Sequence, residues 1–462
     1  MTSVLLIYPF FRRRLDRSRF RFPPLGIAYV AASLREAGHS VQVLDCTFLS
    51  RREAVSQALA ARVDVVGMYC MATMQEDCLG FARALRGRCR LLVAGGPLPT
   101  CDPEAFLQDF DAVVRGEGEQ TMLEIMAAHE TDANLSSVPG VVCRRKKDAP
   151  AGSAAAPESS AAAYAPPRPF ASDLDRIPFP ARDLLPNGRY IEFGRKSYGY
   201  AITTVMSTRG CPFRCEFCSN VVFGASYRER SPQNVADEIE AVLALGYNRI
   251  SFADDVFTLN RRRVLEICEE IGRRRLRFPW ECLGRVDAFD LETAQAMKAA
   301  GCFRIFFGIE SGNDMILRLM DKQITTAQAR EAVMTAHQAG LEAGAFFIVC
   351  YPGEADDTVL DTLRFATSLP LDYVGLSMPY PLPGTALFDR VGDRITRQWR
   401  PQESLLLDHV LTFEADFSAT KMRFAILKGR AQFEMRKRLG RWGPLALRLF
   451  EKPTDGVFRL LR

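Results

Sequence analysis

The chain has 462 residues, 48% of them hydrophobic and 25% charged, which is the composition of a globular protein with two or three domains. No apolar run approaches the ~20 residues that a membrane-spanning helix needs, and we interpret the apolar N-terminus, residues 1–10, as a strand and not a signal peptide. The net charge of +5 comes from the tail, because residues 421–462 hold 12 Lys and Arg but three acidic residues, so the remaining body does not indicate nucleic-acid binding.

The cysteine content indicates a reducing compartment. Thirteen cysteines are an odd number, and the chain is far longer than a small disulfide-stapled scaffold. We therefore expect free thiols and a cytoplasmic location. The four histidines, His39, His129, His337 and His409, are too few and too scattered for a multi-histidine metal site.

Residues 1–145 alternate between short β-branched runs and helical patterns. The runs lie at residues 4–8, 41–44, 63–68, 91–94 and 112–114, and a helical stretch over residues 25–37 stops at Gly38. This alternation predicts an α/β domain with a doubly wound, Rossmann-like parallel sheet. Ligands of such sheets bind at the carboxyl ends of the strands, where the loops carry Thr73, Gly95, Gly96, Gly116, Glu117, Gly118 and Glu119.

The rest of the chain divides into three parts. Residues 146–172 are rich in Ala, Pro and Ser and are predicted to be a linker. Residues 173–393 show six strand-like runs with helical patterns between them, at residues 202–207, 249–253, 280–283, 304–309, 345–349 and 373–378. They predict a partial (β/α)6 barrel of the TIM type, with its site at the strands' carboxyl ends. Residues 394–462 are predicted to form a helical, basic extension.

Three cysteines follow the first predicted barrel strand. Cys211, Cys215 and Cys218 are spaced Cys-x3-Cys-x2-Cys. Three thiolates so spaced can hold three irons of a [4Fe–4S] cluster and leave the fourth iron open to a substrate's amine and carboxylate. The alternatives are a zinc site, which normally needs a fourth ligand that is not nearby, and a chance grouping.

The triad and a series of further motifs resemble the radical S-adenosylmethionine (SAM) superfamily, in its cobalamin-binding branch. In chain order the motifs are residues 228–232, 251–255, 285–287, 307–312, 320–322 and 351–354, reading RERSP, SFADD, RVD, FGIESG, MDK and YPGE. The branch includes C- and P-methylases and the anaerobic magnesium-protoporphyrin ester cyclase. The resemblance covers roughly residues 4–390 and is specific for the branch, not for a substrate.

The resemblance implies three cofactors and a class of reaction. The cofactors are a [4Fe–4S] cluster, SAM and cobalamin, with an external flavodoxin- or ferredoxin-type electron donor. We expect methyl transfer to an unactivated carbon or phosphorus centre through a 5′-deoxyadenosyl radical and methylcobalamin. A radical cyclase or oxidoreductase acting on a porphyrin, lipid or natural-product intermediate is the alternative. A methylthiotransferase with a second cluster on Cys46, Cys70 and Cys101, and an inactive scaffold, are minor alternatives.

By the same resemblance, polar residues at the barrel strand ends bind SAM. Asp254 and Asp255 would accept hydrogen bonds from its ammonium, and Arg285 would pair with its carboxylate. Glu310 would bind the ribose hydroxyls or the amino group, and we place Ser311 in the same set. Each of these residues could instead be a structural strand-end group or a helix cap.

The N-terminal loops would hold the corrin and its nucleotide tail. Gly95 and Gly96 allow a close backbone approach, and residues 116–119 form a tight polar turn. No histidine has an Asp two positions before it, so the Asp-x-His motif that places imidazole under cobalt is missing. Leu98 stands where relatives often have His. We therefore expect base-off cobalamin with no protein imidazole below the cobalt.

Two features leave alternatives open. Cys350 stands where relatives usually have Gly, and it is either a hydrogen-atom donor to the substrate or, as we favour, a small buried apolar residue. In the tail, apolar residues at helical spacing (Met435, Leu439, Trp442, Leu445, Ala446 and Leu449) are flanked by basic ones and interrupted near Pro444. This helix would lie on an anionic membrane surface or, as is commoner, pack its apolar stripe onto the barrel.

Overall fold

The computed structural model describes residues 2–11, 21–144, 162–396, 413–439 and 443–461. The described chain forms two units. The first comprises residues 1–204, 220–230 and 245–247, and the second comprises residues 205–219, 231–244 and 248–462. Residues 173–204 belong to the first unit.

The first unit is built on a seven-stranded sheet. Its strands are β1 (Ser3–Tyr8), β2 (Ser40–Asp45), β3 (Val65–Tyr69), β4 (Leu91–Gly95), β5 (Ala112–Val114), β6 (Val141–Arg144) and β7 (Ala162–Tyr164), in the order β2-β1-β3-β4-β5-β6-β7. The helices are α1 (Leu25–Glu36), α2 (Arg51–Ala60), α3 (Gln75–Leu85), α4 (Pro97–Cys101), α5 (Glu119–Glu130) and α6 (Asn187–Tyr198). The doubly wound parallel sheet predicted from the apolar runs is confirmed for β1 to β5.

Both faces of this sheet are buried. Along β1, Leu5 and Ile7 pack into one apolar core while Val4 and Leu6 pack into the other. Alternation between two cores follows from the two-residue period of a strand and explains why the strands are continuously apolar. The carboxyl ends of β3, β4 and β5 therefore lie side by side at one edge.

The last two strands depart from the sequence prediction. β6 and β7 are antiparallel to their neighbours, and β7 lies inside the stretch predicted to be a linker. Ala162, Ala163 and Tyr164 have little strand propensity of their own, and they are ordered by hydrogen bonds to an edge that β6 already provides. Of the predicted linker, residues 146–161 lie outside the described residues.

The second sheet has six strands in sequential order. They are β8 (Ile202–Val205), β11 (Arg249–Phe252), β12 (Trp280–Gly284), β13 (Cys302–Glu310), β14 (Glu342–Ile348) and β15 (Tyr373–Ser377). From β11 to β15, each strand pairs in parallel with the next. Two short strands, β9 (Thr208–Arg209) and β10 (Arg228–Glu229), lie between β8 and β11 in sequence. All six predicted barrel strands are confirmed, and they form an open, partial barrel.

Helices alternate with these strands. They are α7 (Pro232–Ala244), α8 (Arg261–Arg273), α9 (Leu291–Ala299), α10 (Asp314–Leu319), α11 (Thr326–Gln338), α12 (Asp356–Ser368) and α13 (Ala386–Arg390), followed by α14 (Ala419–Leu439) and α15 (Gly443–Leu460). The core beneath β11 and β12 is aromatic, with Phe252, Phe257 and Trp280 in mutual contact. This packing fixes the strands whose ends carry the predicted site residues.

The C-terminal helices pack against α12. Lys421 Nζ lies 2.8 Å from Asp356, Lys428 Nζ lies 2.9 Å from Asp455, and Phe458 is fully buried. The described part of α14 runs to Leu439 and that of α15 from Gly443, and the predicted interruption lies partly outside the described residues. Trp442 lies outside the described residues. Among the described helices, none has the length and apolar content required to cross a bilayer.

Candidate active site

The three cysteines lie on one loop that begins where β9 ends. Gly210 has a φ of +85°, which only glycine adopts without strain, and it turns the chain from β9 into the loop. Cys211 and Cys215 are partly buried, Cys218 is exposed, and none is in a disulfide. Protein atoms around the thiol partly desolvate it and raise the pKa of Cys218 to about 12, and the neighbouring charges of Cys215, Asp255 and Cys211 contribute to the rise. Such mutual repulsion occurs only between groups that lie close together.

The donor set fits an iron–sulfur cluster. In the parts of the chain that the structure describes, no three His, Cys, Asp or Glu side chains converge on the position of a single metal ion. A structural zinc ion needs such convergence. A [4Fe–4S] cluster does not, because each thiolate binds a different iron. Three neighbouring thiols spread along one loop therefore favour the cluster over zinc.

The Asp254 carboxyl is hydrogen-bonded to the turn before the cysteine loop, so few of its lone pairs are left to bind a ligand. It is 1% exposed, and its carboxyl accepts hydrogen bonds from the amide of Ser207 at 2.6 Å and the amide of Thr208 at 3.1 Å, as well as from the Ser207 hydroxyl. Burial raises its pKa, while Arg263 and these hydrogen bonds oppose the rise. Its contacts match the structural alternative for a strand-end acid, because they hold the turn that leads into the cysteines.

Asp255 is the accessible carboxyl at the same strand end. Its side chain is exposed, whereas Asp254 is enclosed. Surrounding protein atoms raise the pKa of Asp255, the charge of Asp254 adds to the rise, and a hydrogen bond from the Gly210 amide opposes it. Of the two predicted ammonium acceptors, Asp255 is therefore the one that is open to a ligand.

Arg285 is held from several sides. Its guanidinium forms a two-point ion pair with Asp287 at 2.9 and 3.0 Å and donates to the carbonyl of Lys322 at 3.1 Å. It also stacks on the ring of Phe213, 3.4 Å from the centroid. This cation–π contact ties Arg285, which is 4% exposed, to the cysteine loop.

Glu310 pairs with a lysine that sequence reasoning did not assign. Lys322 Nζ lies 3.2 Å from Glu310 Oε1, and both side chains are at most 10% exposed. A Cβ atom at Gly308 would clash with Glu310 Oε1 and would lie 3.0 Å from Lys322 Nζ, so the glycine makes room for the pair. Lys322 belongs to the MDK motif at residues 320–322, and that motif is the sequence feature from which its place in the site could have been predicted.

Ser311 and Cys350 are enclosed. The Ser311 hydroxyl is 3.0 Å from that of Thr362 and accepts from the Asn313 amide, so its contacts are structural. Cys350 is 1% exposed, follows β14 with a φ of +62°, and has a pKa raised mainly by burial. These surroundings favour the interpretation of Cys350 as a small buried residue.

We expect Cys350→Ala to retain full product formation, because a thiol without access to the barrel mouth cannot deliver a hydrogen atom to a substrate. Loss of product with unchanged 5′-deoxyadenosine formation would establish the donor role instead. Cys282→Ala, which removes another fully buried thiol of the same sheet, controls for the effect of a small cavity.

The glycine loops of the first unit lie together at the carboxyl edge of its sheet. Gly96 has a φ of +104°, and a Cβ atom there would lie 2.8 Å from the carbonyl oxygen of Cys70, so only glycine fits beside the end of β3. Thr100 links two of the loops, since its hydroxyl donates to the carbonyl of Gly96 and accepts from the amide of Gly116. Thr73 is exposed in the loop after β3. This edge is the one predicted to bind the corrin.

Glu117 has a different contact from the one predicted. Its carboxylate pairs with Arg228 at 2.9 Å and accepts from the amide of Ala171 at 2.9 Å. Arg228 in turn stacks on Phe170. Glu117 therefore ties the chain segments around residues 171 and 228 to the glycine loop. Gly118 and Glu119 follow directly at the start of α5.

Comparison with known proteins agrees with both sites. Residues 205–366 match the model of the radical SAM superfamily, and residues 14–126 match that of the B12-binding domain. Over 433 residues the chain is 32% identical to an uncharacterized methyltransferase of Pyrococcus horikoshii, which covers 90% of this chain and 89% of that protein. The chain belongs to the cobalamin-binding radical SAM family. As a member of this family it uses a [4Fe–4S] cluster, SAM and cobalamin as cofactors.

Two further comparisons place this cobalamin-binding radical SAM protein among related folds. It is 28% identical over 409 residues to the anaerobic magnesium-protoporphyrin IX monomethyl ester cyclase of Rubrivivax gelatinosus, covering 85% of this chain and 70% of the cyclase. The solved structure of the cobalamin-dependent SAM radical enzyme OxsB with aqua-cobalamin superimposes with a TM-score of 0.76 at 16% identity, covering 99% of this chain and 72% of OxsB. The OxsB likeness confirms the predicted fold.

The described histidines of the first unit lie away from the glycine loops. His39 directly precedes β2 and its Nδ1 lies 3.9 Å from Glu130 at the end of α5, and His129 lies in the last turn of that helix. Both positions are at the amino edge of the sheet, opposite the loops. His409 lies outside the described residues.

We therefore expect bound cob(II)alamin to be base-off with no protein nitrogen below the cobalt. Its electron paramagnetic resonance (EPR) spectrum should lack axial nitrogen coupling. A spectrum with such coupling that disappears in His409→Ala would show that the tail supplies a ligand. His129→Ala is the matched control and should leave the spectrum unchanged.

Proposed function

We propose that the protein transfers a methyl group to an unactivated carbon or phosphorus centre of a small or lipid-like molecule. The observation that carries the proposal is the 32% identity, across nine-tenths of the chain, to a protein named as a methyltransferase. The cyclase relative is less similar and aligns over less of the chain. When bound, the cofactors supply reductive cleavage of SAM to a 5′-deoxyadenosyl radical and a methyl donor.

The chain's own residues would bind the cluster and SAM and orient them. Cys211, Cys215 and Cys218 would hold three irons, and the exposed Asp255 carboxylate would accept hydrogen bonds from the SAM ammonium. The buried Glu310 would receive the ribose hydroxyls or the amino group, with Lys322 holding its carboxylate in place. Arg285, already paired with Asp287, would add positive charge close to the SAM carboxylate.

In the proposed reaction SAM is used in two ways, as the source of the 5′-deoxyadenosyl radical and as the source of the methyl group. The second use can be tested without a known substrate. Anaerobically reconstituted protein with reduced cobalamin and a flavodoxin- or ferredoxin-type donor should convert SAM to S-adenosylhomocysteine, because a methyl donor must be formed. Formation of 5′-deoxyadenosine without any S-adenosylhomocysteine would contradict methyl transfer. The same protein without cobalamin is the control.

A radical cyclase or oxidoreductase is the second candidate, and the similarity to the anaerobic cyclase favours it. Candidate porphyrin, lipid and natural-product substrates can be screened by mass. A gain of CH2 supports methyl transfer, whereas loss of hydrogen or gain of oxygen supports the cyclase type of reaction. Label from SAM carrying a deuterated methyl group appears in the product only in the first case.

A methylthiotransferase fits the structure poorly. Cys46 and Cys70 are fully buried, and Cys101 is partly buried. A cluster on these cysteines would need their enclosed thiols to be opened, so it would require the first unit to rearrange.

A vesicle experiment decides between the two interpretations of the tail. Docking of α14 and α15 on α12 supports the packing interpretation, although Leu449 and Leu460 of α15 are 72% and 83% exposed beside Arg448 and Lys452. Membrane contact would appear as co-sedimentation with anionic vesicles at low salt that is lost when residues 435–462 are deleted. Absence of co-sedimentation by the full chain would rule it out.

A further inference from the structure

Glu216 stands between the second and third cysteines, and its backbone anchors the loop at two points. Its amide donates to the carbonyl of Met320 at 2.9 Å, and its carbonyl accepts from the amide of Leu387 at 2.9 Å. Met320 directly follows α10, and Leu387 lies in the first turn of α13. The loop is thus held between two helices at the residue that immediately follows Cys215.

The side chain of Glu216 makes two further contacts. Tyr351 Oη donates to Glu216 Oε2 at 2.7 Å, and Arg390 Nε lies 2.9 Å from Glu216 Oε1. Both carboxylate oxygens are therefore engaged, one by a neutral hydroxyl and one by a guanidinium. The Glu216 side chain is 14% exposed, whereas that of Arg390 is 32% exposed.

The partners of Glu216 are themselves fixed. Tyr351 is fully buried, in an apolar cluster with Ile316, Met320, Ile348, Leu387, Val391 and Phe413. The guanidinium of Arg390 lies over the Tyr351 ring, 5.3 Å from its centroid, and donates to the carbonyl of Pro352 at 3.3 Å. Because the phenol cannot reach water in this cluster, the carboxylate is the acceptor that satisfies it.

The next residue of the loop joins the same arrangement. The ring of Phe217 packs edge-on against Tyr351, 6.4 Å between centroids. Glu216 and Phe217 are the only residues between Cys215 and Cys218, so every residue between the two thiols contacts Tyr351. The chain between the two thiols is therefore in contact with a single tyrosine.

We propose that Glu216 is a positioning residue for the cluster: with Tyr351 and Arg390 it forms a clamp that sets the spacing of the Cys215 and Cys218 thiolates. The clamp acts on the loop and not on substrate. The inference rests on cluster binding by the triad and is independent of whether the reaction is methyl transfer. Charge-assisted hydrogen bonds in a water-poor setting are strong enough to hold such a loop.

The test uses Glu216→Gln in the reconstituted full chain. The amide keeps the shape but loses the ion pair with Arg390, so the loop should open more often and expose the irons. We expect release of iron to a chelator to be roughly tenfold faster, with a broadened EPR spectrum of the reduced cluster. Tyr351→Phe, which removes only the hydroxyl, should shift both readouts in the same direction by less. Arg390→Lys keeps the positive charge beside Glu216, so it should release iron more slowly than Glu216→Gln does.

Glu434→Gln is the matched control, because Glu434 forms an exposed pair with Arg438 on α14 and should leave iron release unchanged. If iron release and the EPR spectrum of Glu216→Gln and Tyr351→Phe equal those of the unmodified protein, the clamp has no positioning role. Should Glu216→Gln fail to fold, Tyr351→Phe alone gives the same two readouts. These readouts involve neither SAM nor substrate, so they are separable from a failure of the proposed function.

Discussion

Single replacement of Cys211, Cys215 or Cys218 by Ala should lower the iron content from about four per chain to near zero and abolish 5′-deoxyadenosine formation. The reason is that each thiolate would bind a different iron, so the loss of one cysteine leaves an iron without its protein ligand. Cobalt should stay at about one per chain, because the glycine loops belong to the first unit. Iron and cobalt analysis after anaerobic reconstitution measures both.

Cys89→Ala is the control for this series. Cys89 is partly buried, lies outside the motifs and belongs to the first unit, so its loss should change neither metal. A triad variant that retained all its iron would place the cluster elsewhere. An unmodified protein with about eight irons and no cobalt would revive the methylthiotransferase interpretation.

Much of the fold could be predicted because the strands are buried on both faces. A continuous apolar run such as that of β3 predicts a buried strand without knowledge of its neighbours, because both faces of the strand pack against apolar side chains. β7 could not be predicted, because Ala162 and Ala163 become a strand only through the edge that β6 presents.

The site was predictable to different depths for different residues. The spacing of three cysteines specifies its own chemistry, whereas a strand-end acid specifies only a position. Asp254 and Asp255 are adjacent in sequence, but one faces the amides of the turn and the other faces solvent. The backbone geometry at the end of β11 decides which way each side chain points, and this geometry cannot be predicted from the residue pattern. For the same reason Arg285 could be expected at the site, but not its pairing with Asp287.

Lys322 shows how a residue outside the strands enters the site. It follows the short helix α10, and the chain folds back so that its ammonium meets the carboxylate that ends β13. Glu310 has a φ of +71°, and Gly308 leaves the space the pair needs. The close packing around both charges means that neither can be rehydrated if its partner is removed.

The second large effect is therefore expected at this ion pair. Lys322→Ala leaves the Glu310 carboxylate buried without its cation, which costs about 3–5 kcal/mol and should lower the melting temperature by roughly 5–10 °C. SAM binding should weaken as well, because the Glu310 carboxylate loses the ammonium group that holds it in place. Calorimetry and SAM titration measure the two effects separately.

A double substitution separates stability from cofactor binding. Lys322→Met with Glu310→Gln removes both charges while keeping the volumes, so we expect most of the lost melting temperature to return. SAM binding should remain weak, because the carboxylate itself is missing. Lys298→Ala removes an exposed lysine that donates to the carbonyl of Gly340, and it should shift stability by no more than about 0.5 kcal/mol. If Lys322→Ala melts at the temperature of Lys298→Ala, the pair is not a buried structural element. If the double variant binds SAM normally, Glu310 does not contact the cofactor.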